Sequence, residues 1–153
     1  MFTIKIEGLS ELVKTLDDVR QLRFVKAALK AAARHIEAKV KKYPPATAAN
    51  SPAGPGRGWY ERGYGSRYMT VLGQVRGRKT SEMLGRSWST REEDDGLTQI
   101  IGTPVSYARY VHDIDQQSRF HFHHGWKTIQ YIAEQEAPVL RKKIMEYLEK
   151  VLG

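Results

Sequence analysis

At 153 residues, with 27% charged and 41% hydrophobic residues and a formal net charge of +8, the chain has the size of one basic globular domain, able to bury roughly 70% of its unfolded surface. It has no cysteine, which excludes thiolate chemistry, disulfide staples and cysteine-based zinc sites and fits a reducing compartment. No apolar run approaches the roughly 18 residues of a membrane span, and 1-MFTIKIEGLS-10 lacks the layout of a secretion signal, so the expectation is a soluble protein made in a cytoplasm.

In chain order, Phe2, Ile4 and Ile6 alternate with Thr3, Lys5 and Glu7, the pattern of a half-buried strand. Gly8 ends it, and Ser10 is placed to cap a helix carrying Leu9, Leu12, Val13, Leu16 and Val19 at helical spacing. The phase drifts near Asp17-Asp18. Val25, Ala28, Leu29, Ala32, Ile36 and Val40 then resume the stripe, inside the helix-forming run 26-KAALKAAARHIEAKVKK-42. Lysines at its end suit the negative pole of the helix dipole, and Pro44-Pro45 stops it.

The segment 43-YPPATAANSPAGPGRGWYERGYGSRY-68 has a Pro and Gly content that forbids a regular element there. It also holds Trp59, Tyr60, Tyr64 and Tyr68, more aromatic area than a linker needs. Residues 43–86 carry seven basic side chains (Arg57, Arg62, Arg67, Arg76, Arg78, Lys79, Arg86) against Glu61 and Glu82, a balance of +5 that leaves +3 for the rest. Residues 43–79 therefore read as an extended basic, aromatic arm that orders against a partner. The plainer alternative is a flexible loop whose rings tuck back onto the domain.

Residues 68-YMTVLGQV-75 look like a strand, and 80-TSEMLGR-86 like one helical turn capped by Thr80. 86-RSWSTREE-93 and 97-LTQIIGT-103 read as strands joined across 94-DDG-96, a hairpin signal, with Pro104 closing the second. 106-SYARYVHDI-114 reads as a short helix capped by Ser106, with Tyr107, Tyr110 and Val111 on one face. In 126-WKTIQYIAEQEAPVLRKKIMEYLEKVL-152, Ile129, Ile132, Ala133, Leu140, Ile144, Leu148 and Val151 form one stripe, which Pro138 should kink or interrupt. Strands and helices are segregated. The expected fold is α+β: a single domain over 1–153 with an antiparallel sheet packed by a long N-terminal and a long C-terminal helix.

The stretch 105-VSYARYVHDIDQQSRFHFHHGW-126 contains four of the five histidines. His121 and His123 would point the same way on a strand, with His112 and Asp113 or Asp115 as further ligands, but no metal-binding framework is present. Arg119, His121 and His123 are the residue types of a toxin-like nuclease, again without a supporting motif. No nucleophile elbow occurs, and 54-GPGRG-58 is no phosphate cradle. The expectation is no catalytic, cofactor or metal site. Aromatics interleaved with arginine are instead the composition of protein interfaces, or of surfaces that stack bases. Tyr107, Tyr110 and Trp126 are assigned to the local fold. Arg119, Phe120, Phe122, His123 and His124 are assigned to a partner surface, together with Arg57, Trp59, Tyr60, Arg62, Tyr64 and Arg67 of the arm.

The residues 4-IKIEGLSELVKTLDDV-19, 64-YGSRY-68, 80-TSEMLGRSWS-89 and 107-YARYVHDIDQQSRFHFHHGW-126, followed by an amphipathic C-terminal helix, together resemble one family. It is the tail-completion and minor-tail-protein-Z-like neck proteins of tailed bacteriophages, also called virion morphogenesis or head–tail joining components. The anchors are Thr80, Leu84, Ser87 and Trp88, then Tyr107, Ala108, Tyr110 and Val111, then Gln116, Gln117, His121 and Trp126. Two positions depart from the pattern: Thr80-Ser81 stands where members often have Thr-Gly, and His112 where an acidic residue often follows the Tyr-Val pair. The resemblance implies a non-enzymatic α+β structural protein of the virion tail or neck, made in the host cytoplasm. It implies a ring of six-fold or twelve-fold order and, as partners, copies of itself, other neck and connector proteins and the tail tube. Non-specific contact with genome DNA fits the basic arm, and no membrane partner is expected. A free-standing basic nucleic-acid-binding protein is the competing class, with the nuclease as a third.

Overall fold

The computed structural model describes residues 2–6, 19–44, 52, 54–61, 65–77 and 83–152. Strand β1 (Phe2–Ile6) is followed by helix α1 (Val19–Val40), then by strands β2 (Gly58–Glu61), β3 (Gly65–Met69) and β4 (Val75–Gly77). A single turn α2 (Met83–Arg86) leads into the hairpin of β5 (Ser89–Glu93) and β6 (Thr98–Thr103). Short helices α3 (Ala108–His112) and α4 (Arg119–His123) precede the long α5 (Ile129–Leu152). The proposed Ser10-capped helix and the Thr80 cap lie outside the described residues.

The α+β expectation holds, but with two antiparallel sheets rather than one, of order β1-β6-β5 and β2-β3-β4. In the first, Ile4 sits opposite Ile101 and Thr90 opposite the same residue. The β5–β6 connection is the hairpin expected from 94-DDG-96. Asp94, Asp95 and Gly96 all take positive φ, a region that short-side-chain Asp and Gly reach at least cost, and the Asp94 carbonyl accepts from Leu97 N–H.

Helix α1 lies on this sheet, and α5 runs antiparallel along α1. Ala33, Ile36 and Val40 cluster with Ile129, while Val25 and Leu29 meet Leu148 at the other end. Ile101, Leu84, Trp88, Val111 and Trp126 complete the main core. Glu136 of α5 clamps the helix pair, accepting from Lys39 Nζ at 2.8 Å and His35 Nε2 at 2.7 Å. Pro138 does not interrupt α5, which continues through it to Leu152. The cost of a missing N–H is met by a helix whose apolar stripe is anchored on α1 at both ends.

The Pro/Gly-rich arm is where the sequence reading errs most. Residues 58–77 contain a regular three-stranded sheet. Pro55-Gly56 and Gly73 fall in turns and Gly58 and Gly77 at strand ends, which leaves Trp59, Tyr68 and Val75, good strand formers, inside the ladder. Likewise 68–75 is not one strand. It folds back at Thr70–Gln74, where Thr70 N–H donates to Gln74 O at 2.9 Å and Gly73 N–H to Thr70 O at 2.9 Å.

Candidate partner-binding surface

Between β6 and α5 the chain makes two short helices with one buried and one exposed side. Helix α3 begins at Tyr107 without a side-chain cap, so Ser106 does not play the role expected of it. Helix α4 does have such a cap: Ser118 Oγ accepts from His121 N–H at 3.3 Å. It ends at Gly125, whose φ of +83° is the left-handed close that glycine adopts freely, with Trp126 N–H returning to His121 O at 3.1 Å. Gln117 ties the pieces together, its Nε2 donating to Val111 O at 2.7 Å and Trp126 O at 3.0 Å.

On the inner side, His112 is 1% exposed and its ring meets Trp88 and Trp126 edge-on, at 5.6 and 5.5 Å between centroids. Tyr43 meets Trp126 in the same way. The Lys127 carbonyl accepts from His112 Nδ1 at 2.8 Å, which places the proton on that nitrogen. Burial pushes the His112 pKa below its ordinary value. The Lys127 bond opposes this, and the nearby His121 adds to it. His121, half-buried, is lowered by burial as well. His112 is thus a neutral member of an aromatic core.

The strand reading of His121 and His123 is also overturned. They lie two apart on helix α4, on opposite sides, with His121 turned inward and His123 exposed. Among the described residues no group of three or more His, Asp or Glu side chains is placed to hold a metal ion.

The outer side carries large apolar side chains among charged ones. Tyr107 (43% exposed), Tyr110 (45%), Ile114 (60%), Phe120 (41%) and Phe122 (67%) all face solvent. Tyr107 and Tyr110, assigned from sequence to the local fold, are therefore surface residues, and Trp126 alone of that trio is core. The reason is helical geometry: α3 buries the narrow face of Ala108, Val111 and His112, and the tyrosines fall off it. Arg109 lies 4.9 Å over the Tyr110 ring. Arg119 and His123 are exposed, whereas His124 is half-buried and donates from Nδ1 to Phe120 O at 2.7 Å.

In the arm, Arg57 is exposed. Trp59, assigned to the partner surface, is only 9% exposed and sits directly opposite Arg67, so it offers little area for contact. Arg67 is half-buried and its side chain lies across Gly77, where a Cβ would come within 2.9 Å of its Cδ. Tyr60 is in β2, but its side chain lies outside the described residues, as do Arg62 and Tyr64. What the sequence reading missed is the tip of the β3–β4 hairpin: Val71 and Leu72 are 87% and 86% exposed. The signal was the glycine of 70-TVLGQ-74, which interrupts an otherwise strand-like run.

Two apolar grooves flank Leu140 and Ile144 along the α1–α5 seam, of about 450 and 410 Å³. Lys143 edges the first, and Lys5 and Arg141 the second. No helix among the described residues is long and apolar enough to cross a membrane. No protein-family model matches the chain, and neither a curated protein nor a solved structure does.

Proposed function

We propose that this chain is a structural component of the neck of a tailed bacteriophage or prophage. It would be a tail-completion or head–tail-joining subunit that assembles into a ring and performs no chemistry. The observation that carries the reading is the outward aromatic face from Tyr107 to Phe122, held on a rigid inner wall of Trp88, His112 and Trp126. Exposed rings on short, well-bonded helices have the anatomy of a preformed protein contact. The resemblance of 80-TSEMLGRSWS-89 and 107–126 to neck proteins supports the same reading.

Absolute mass by light scattering, at low and high salt, followed by negative-stain images, tests it. Closed rings are expected, alone or on addition of a connector or tail-tube partner. A chain that stays monomeric with every neck partner and instead binds DNA tightly at physiological salt would overturn it. That outcome belongs to a second reading, nucleic-acid binding, which one observation favours: Tyr68 and Arg76 stand opposite each other on an exposed face of the second sheet, an arrangement that can stack bases and hold phosphate.

A further inference from the structure

We infer that the β3–β4 hairpin of one copy docks head-to-tail on the Tyr107–Phe122 face of a second copy, with Val71 and Leu72 as the anchor. This rests on the ring reading and says which two surfaces meet.

The hairpin tip is built for insertion. Valine and leucine are poor turn residues, yet here they occupy the apex of an ordered turn. Besides the two backbone bonds, Gln74 N–H donates to Thr70 Oγ1 at 3.0 Å and Arg76 to Gln74 Oε1 at 2.8 Å. The apex is thus pre-organised, and little entropy remains to be lost when it docks. Its base is cationic. Arg57 is at the end of the ladder, its carbonyl accepting from Met69 N–H, and Arg76 stands opposite Tyr68. Neither guanidinium meets a carboxylate among the described residues.

The other surface is complementary. It is apolar and aromatic, and Asp113 and Asp115 lie within it beside the exposed Ile114. Asp113 accepts from the backbone N–H of Asp115, and neither carboxylate meets a cation among the described residues. By contrast, most of the acidic side chains at the β5–β6 hairpin already meet cations: Glu92, Glu93 and Asp95 pair with Lys30, Arg91 and Lys26, and Asp94 accepts from the Thr98 hydroxyl. Arg109 and Arg119 also stand on this face, so the ion pairing is local to the 113–115 loop.

The α1–α5 grooves are poorer sockets, because lysine and arginine stand at their edges and, unlike the 107–122 face, no Asp or Glu lines them to meet the hairpin's arginines. Among the described residues, one chain therefore carries an apolar knob whose arginines meet no carboxylate and an aromatic face whose Asp113 and Asp115 meet no cation. These are the two unlike patches that a heterologous, ring-closing contact repeats from copy to copy.

The absence of cysteine makes the test clean. Leu72→Cys and Ile114→Cys are made in separate full-length chains and oxidised alone and mixed. A disulfide-linked dimer is expected only in the mixture. Val71→Ser with Leu72→Ser should weaken self-association on the order of 100-fold, the loss expected for two anchors left in water. Arg76→Glu should weaken it too, and adding Asp115→Arg should restore it. Cross-linking of Leu72→Cys chains with one another would overturn the pairing in favour of a symmetric tip-to-tip contact. Rings that persist without the mixed cross-link would overturn it while leaving the neck reading intact. A wild-type chain that is monomeric at every concentration overturns it as well. If that monomer then binds DNA tightly, the neck reading falls with it.

Discussion

Strand β6 and strand β4 sit in sheets of equal size, with opposite surroundings. In β6, Ile101 is fully buried and Gln99 and Thr103 are 1% exposed, because α1 covers one face and β1 and β5 flank both edges. In β4 all three residues are exposed, and among the described residues the strand pairs on one side only. The first sheet is held by burial. The second is held mainly by its own ladder and by Trp59 and the Arg67 stem on one face, and it presents Tyr68, Arg76, Val71 and Leu72 to whatever lies outside. Similar residue types therefore stabilise the chain in one sheet and remain available for contact in the other.

The sharpest way to break this comparison is to cut into the first region. Trp88→Ala removes a 3%-exposed ring from the main core and should cost about 3–5 kcal/mol, read from denaturant midpoints. A loss below about 1 kcal/mol would mean the aromatic wall is not what supports the 107–126 surface.

Acid should act on the same region. The folded-state pKa of His112 lies below its ordinary 6.5, so its neutral form is favoured by folding. That contribution is complete above about 6.5 and is lost as pH falls from there through the depressed folded value. His121 contributes with the same sign. Denaturation between about pH 7.5 and about 5.5 should therefore show falling stability, and His112→Phe should flatten the slope. An unchanged slope would remove His112 from the explanation.

A smaller effect is expected at the helix clamp. The hydrogen bond from Lys39, then that from His35, holds the Glu136 carboxyl below its ordinary range. Its contribution is present above the unfolded pKa near 4.5 and is lost as pH falls through the lower folded value. Glu136→Gln should cost no more than about 1 kcal/mol at neutral pH, and the difference from wild type should vanish in acid.

The smallest change in stability belongs to the second region. Val71→Ser with Leu72→Ser should move the unfolding free energy by less than about 0.5 kcal/mol, since both side chains are already in water. A large loss there would show that the hairpin tip packs within its own chain, and would erase the contrast between the sheets.

Much of the first region was legible in the sequence. Phe2–Ile6 alternates as a strand, the 94-DDG-96 turn announces its hairpin, and Val25 to Val40 keeps one helical stripe. These signals are local: side-chain period, turn chemistry and propensity act within a few residues. The arm was not legible, because Pro and Gly were counted by composition, whereas their effect depends on position in a strand or turn. Nor was the inner and outer side of 107–126 legible. Tyr107 and Val111 share a spacing that admits either face, and the packing of Val111 and His112 with Trp88 and Trp126, distant in sequence, decides which side turns in.

By itself, then, the sequence determined the α+β class, the long helices, the first hairpin and the basic character of residues 43–86. Tertiary structure decided that His112 is walled between two tryptophans, that Tyr107 and Tyr110 face out, and that Val71 and Leu72 stand at an apex. The physical reason is that backbone preference is settled by near neighbours. Burial is settled by which distant elements arrive to cover a side chain, and for β4 and the outer face of α3 and α4 no element among the described residues does.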